Sequence, residues 1–61
     1  MPVKDWLAFF RDAGIPTAAA KMYADSFVRN DITGDMLGDL NKGYLNDMGI
    51  KGVGDIIRIL R

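Results

Sequence analysis

Asp5-Trp6-Leu7-Ala8-Phe9-Phe10-Arg11-Asp12-Ala13-Gly14-Ile15-Pro16-Thr17 reads as one amphipathic helix, its stop and the opening of a second helix. Trp6, Phe9, Phe10 and Ala13 recur at i, i+3, i+4 and i+7 and so share one apolar stripe. Asp5 stands where it can cap that helix, and Gly14 stops it. Pro16 and Thr17 then open a helix carrying Ala20, Tyr23, Ala24, Phe27 and Val28 at i, i+3, i+4, i+7 and i+8. Asn30-Asp31 is expected to end it.

The same reading extends to the end of the chain. Thr33 starts a short helical turn with Met36, Leu37 and Leu40. Asn41 can cap a fourth helix that presents Leu45 and Met48, and Gly49 is its natural stop. Gly52 to Asp55 begins the last helix, with Val53, Ile56, Ile57 and Leu60 expected on one side. No stop signal precedes Arg61. Five short helices with connections of a few residues predict an all-α orthogonal bundle rather than a coiled coil, which needs sustained heptads. Residues 1–61 read as one domain, trimmed from a larger protein.

A chain of 61 residues buries only about 60% of its unfolded surface, so roughly 3 to 9 kcal/mol of stability is expected. Apolar residues make up 49% and charged residues 26%, a balance that supports a folded core inside a solvated surface. No run approaches the length of a membrane span and no secretory pattern is visible, so the sequence reads as soluble and intracellular, nuclear or cytoplasmic. Cysteine and histidine are absent, which removes disulfides, thiolate nucleophiles, imidazole bases and the usual zinc ligands.

The remaining candidates for chemistry have simpler structural readings. Asp35 and Asp39 lie four apart, but no third ligand at suitable spacing supports a metal site. Lys51-Gly-Val-Gly-Asp55 holds a lone G-x-G at a helix start, yet Asp55 already occupies the position an anion would take, so the glycines serve a tight turn and close packing. Ser26 has no histidine to activate it. Trp6, Tyr23 and Phe27 fall at core spacing, while Tyr44 is less constrained. No catalytic constellation, metal or cofactor is expected.

The formal charge of zero conceals a polarity. Residues 31–50 hold Asp31, Asp35, Asp39 and Asp47 against Lys42, or −3 by subtraction. Residues 51–61 hold Lys51, Arg58 and Arg61 against Asp55, or +2, and the first thirty residues carry the other +1. Unlike patches on one module allow head-to-tail contact between copies, which builds open helical filaments unless it closes.

In this order, Trp6, Phe9, Phe10, Gly14-Ile-Pro16, Tyr23, Phe27, Ile32, Leu37, Leu40, Leu45, Met48-Gly-Ile50 and Gly54-Asp-Ile-Ile57 resemble the SAM domain (sterile alpha motif) family from Trp6 to Leu60. The resemblance implies a protein-interaction module in which a mid-loop surface on one copy meets an end-helix surface on another. Gly34-Asp-Met36-Leu resembles the mid-loop segment, with Met36 as apolar contact beside Asp31, Asp35, Asp39 and Asp47. Gly54-Asp-Ile56-Ile resembles the start of the end helix, with Ile56 or Val53 as the apolar plug and Lys51 and Arg58 as its basic rim. On that reading Ile56→Glu or Met36→Glu disrupts assembly more than loss of any single rim charge. Two alternatives accompany it: one-sided binding to a different SAM domain, and RNA-hairpin binding through Lys51, Arg58, Arg61 and Arg11, for which the basic charge is thin.

Overall fold

A computed structural model describes residues 3–61, with side chains from Asp5 onward. Met1 and Pro2, at the start of the expected 1–61 domain, lie outside the described residues. The order is α1 (Val3–Asp12), α2 (Thr17–Arg29), a 3-10 helix (Gly34–Asp39), α3 (Lys42–Asp47) and α4 (Val53–Leu60). All five expected helices are present, and no strand occurs among the described residues. The first helix starts earlier than expected: Asp5 lies inside the first turn of α1, where its carboxylate favours the helix dipole without acting as the cap.

The core forms where α1 crosses α2. Trp6 and Phe10 are fully buried, and both meet Phe27 nearly edge to face, with ring centroids 4.8 and 4.9 Å away. This geometry places a ring's positive edge on its neighbour's negative face. Ala20 and Ala24 are also fully buried on α2, and their small side chains allow α1 to approach. Leu45, Ile50, Ile56 and Ile59 close the core from the second half of the chain.

One backbone device ends three helices. At the close of α1, Gly14 N–H donates to Arg11 and Ile15 N–H to Phe10; after α2, Asp31 donates to Val28 and Ile32 to Phe27; after α3, Gly49 donates to Asn46 and Ile50 to Leu45. This is the Schellman pattern, which satisfies orphan carbonyls and turns the chain through a left-handed residue. Gly14 and Gly49 reach φ of +94° and +88° without steric cost, whereas Asp31 does so at +56° with a side chain. The isoleucine that follows each turn packs in or against the core. Helix termination and core formation are thus one event at three corners.

Two side-chain bonds fix the second half. Asn41 Oδ1 accepts from Tyr44 N–H at 2.9 Å, so Asn41 caps α3 as expected. Ser26, buried on α2, donates its hydroxyl to the Met48 carbonyl at 3.0 Å and ties α2 to the end of α3. Ser26 therefore faces inward, while Val28, expected on the apolar face, is exposed at the end of the stripe.

Candidate protein-interaction surfaces

The last helix has more apolar residues than the core can cover. Five of its eight residues are aliphatic, and at about 100° per residue they spread over an arc of roughly 160°. Ile56 and Ile59 fill one edge of that arc and are buried. Val53, Ile57 and Leu60, spaced i, i+4 and i+7, form the other edge and are 65, 49 and 41% exposed. This corrects the sequence reading on two points. Ile56, only 6% exposed, is a core residue and cannot be the plug. Val53, Ile57 and Leu60 do not share its inward direction.

Basic groups border the open edge. Arg58 and Arg61 lie with Gly54 and Ile57 around a shallow cleft. Among the described residues Arg58 has one polar side-chain partner, Nη1 standing 3.5 Å from Asp55 Oδ1. Lys51 is exposed, and its Nζ reaches the Asn46 carbonyl at 3.4 Å, at the C-terminal end of α3 where a cation is favoured. Asp55, between them in sequence, is turned to α2: Tyr23 Oη donates to its Oδ2 at 2.5 Å. That bond, with burial and the neighbouring negative charge adding to it, pushes the Tyr23 phenol up to about 12.

A hollow of about 410 Å³ opens on the acidic segment. Ile32, Met36, Leu40 and Met48 give it an apolar lining, Tyr44 and Asn30 flank it, and Asp39 and Asp47 supply the negative charge. Met36 remains 39% exposed, so its thioether is available to a visitor. The fold thus brings together Met36, Asp39 and Asp47 of the expected mid-loop set. Asp31 and Asp35 are exposed but do not line the hollow. Asp31 forms the left-handed corner after α2. Asp35 accepts the Thr33 hydroxyl, which, with its own backbone amide, holds its carboxyl below the usual value.

Sequence reasoning left Ile57 and Leu60 out of one surface, gave Arg61 only to the basic end of the chain and the RNA alternative, and left Ile32, Leu40, Tyr44 and Met48 out of the other surface. A signal for the first group was present: five aliphatic residues in one short terminal helix exceed what a chain of this size can bury. The second group comes from four separate elements and corners and has no common spacing. Among the described residues no cluster of three or more acidic side chains could hold a metal, and no helix is long and apolar enough to cross a membrane.

Comparison with known proteins places this architecture. The sequence profile of the family described as SAM domain (sterile alpha motif) matches residues 1–61, the whole chain. The chain is a SAM domain. It is 33% identical over 57 residues to the actin cytoskeleton-regulatory complex protein SLA1 of Vanderwaltozyma polyspora, 35% to that of Yarrowia lipolytica and 39% to that of Mycosarcoma maydis. Each match takes in 93% of this SAM domain and 5% of the relative, so the chain spans a small fraction of the length of these curated relatives. No solved structure matches it at a significant level. As a SAM domain it is a protein-interaction module, and among the described residues the two surfaces above hold five of the seven large apolar side chains that stay exposed, Met22 and Val28 being the others.

Proposed function

We propose that this SAM domain joins copies of itself head to tail, the open apolar edge of α4 on one copy entering the acidic hollow of the next. The observation that carries this reading is that both surfaces are apolar and their charged borders are of opposite sign. Val53, Ile57 and Leu60 form a ridge bordered by Arg58 and Arg61, while the hollow has an apolar lining with Asp39 and Asp47. The two residue sets do not overlap, so one copy can use both at once. Such a heterologous contact grows into an open filament unless its rotation closes.

Magnitudes assign the roles. Completing the burial of three half-exposed aliphatic side chains contributes roughly 3 kcal/mol. Exposed charge pairs contribute under about 1 kcal/mol each and act mainly on orientation and encounter rate. After the cost of association the contact is expected to be weak singly and to matter through repetition. The relatives' name describes a complex that regulates the actin cytoskeleton; a self-associating module inside a longer intracellular protein of that kind would link many copies of its parent. The basic residues open to an RNA backbone are few, Arg11, Lys51, Arg58 and Arg61, with Asp12 and Asp55 close to them in sequence, which favours a protein contact over RNA. One-sided binding to another SAM domain uses the same surfaces without growth.

Sedimentation velocity over a range of concentrations tests this, using Met36→Glu and Ile57→Glu because both side chains are exposed. Ile56→Glu would place a charge in the core and report on folding instead. The expected result is growth of the unsubstituted chain, monomers for each variant, and a dimer when the two variants are mixed. A monomer at every concentration, or growth that both substitutions leave intact, overturns the reading.

A further inference from the structure

We infer that Tyr23 is a positioning residue for the end-helix surface: by holding one oxygen of Asp55 it leaves the Arg58 guanidinium available to a carboxylate of the neighbouring copy. The inference rests on the head-to-tail reading and names a residue, 32 positions from Asp55, that controls one of its contacts.

Asp55 has two oxygens and two suitors. Tyr23 Oη takes Oδ2 at 2.5 Å, leaving Oδ1 for Arg58 Nη1 at 3.5 Å. An aspartate three residues before an arginine on a helix is a neighbour, and a free carboxylate can accept a guanidinium through two parallel bonds of about 2.8 Å. Here Oδ2 is turned to the tyrosine, Arg58 meets the carboxylate through Oδ1 alone, and the guanidinium keeps most of its five N–H donors for other acceptors. The arginine, half exposed, lies over two glycines. Its stem crosses the α1–α2 corner, where a Cβ on Gly14 would stand 3.6 Å from Cδ, and its head covers Gly54, where a Cβ would stand 3.1 Å from Nη1. The guanidinium thus lies beside Ile57 and Arg61, at the border of the apolar ridge. With its phenol raised to about 12, Tyr23 keeps its donor proton at every pH a cell offers.

A single contact isolates the effect. A copy carrying Met36→Glu presents only α4, a copy carrying Ile57→Glu presents only the hollow, and calorimetric titration of one into the other gives their Kd. Adding Tyr23→Phe to the α4-presenting copy is expected to weaken binding about threefold at low salt, the scale of an exposed charge contact. Adding Asp55→Asn as well restores the affinity, because an amide no longer neutralises Arg58. A merely structural tyrosine would not give that rescue. Thermal melts confirm that each copy is folded. If Tyr23→Phe leaves Kd unchanged, or weakens binding equally with and without Asp55→Asn, the inference is overturned while the head-to-tail reading stands. If the parent pair does not bind, that reading falls and the role of Tyr23 falls with it.

Discussion

At the scale of single residues, neighbours in sequence have opposite duties. Ile56 is sealed in the core and Ile57 is half in solvent, so the pair Ile56-Ile57 divides the core from the proposed contact. Tyr23 and Asp55 carry the residue-scale prediction about pH. The phenol titrates near its ordinary value of 10.0 when unfolded and near 12 when folded. Above about pH 10 the unfolded chain releases a proton that the folded chain retains, so the stability from this bond is complete below pH 10 and is lost as pH rises towards 12. Tyr23→Phe is expected to cost about 1 kcal/mol at neutral pH, a charged hydrogen bond discounted for partial exposure. In thermal melts from pH 8 to 11, the gap between parent and variant should narrow as pH rises; a constant gap would mean that the bond does not couple to folding.

At the scale of the element, the three Schellman corners make a matched set. Gly14→Ala and Gly49→Ala each place a methyl at positive φ and are expected to destabilise by about 1 kcal/mol. Open space around Gly49 leaves backbone strain alone, whereas at Gly14 the added carbon also meets Arg58. Asp31→Gly relieves a left-handed side chain and is expected to leave stability unchanged or raise it by a few tenths of a kcal/mol. Urea titrations of the three variants check the order, and a loss at Asp31→Gly as large as that at Gly49→Ala would show that Asp31 is held by more than its backbone. These ends were legible in the sequence because Gly14, Gly49 and Asn30-Asp31 are local stop signals. The face of α4 was not, because an apolar arc of about 160° has no single inward direction until the other helices dock.

At the scale of the whole molecule, zero net charge and strong local polarity coexist. If the acidic hollow and basic ridge meet, association should weaken as salt rises from 0.05 to about 0.5 M, since the screening length drops to a few ångströms. It should not vanish, because the apolar ridge supplies most of the attraction. Sedimentation across that range decides: association that strengthens with salt would show that charge plays no attractive part.

The sequence alone determined that the chain is helical, where α1, α2 and α3 stop and which aromatic residues build the core, since these depend on hydrogen bonds within one turn and on the repeat of apolar side chains. It also carried the family resemblance and the division into acidic and basic segments. Tertiary structure decided which edge of α4 is open, removed Ile56 from the surface, collected Ile32, Met36, Leu40, Tyr44 and Met48 around one hollow, and brought Tyr23 to Asp55. The physical reason is range. A cap or a stripe is set by residues within a few positions, but the rotation of a terminal helix and the partner of a carboxylate are set by whatever packs beside them, here residues up to 32 positions away.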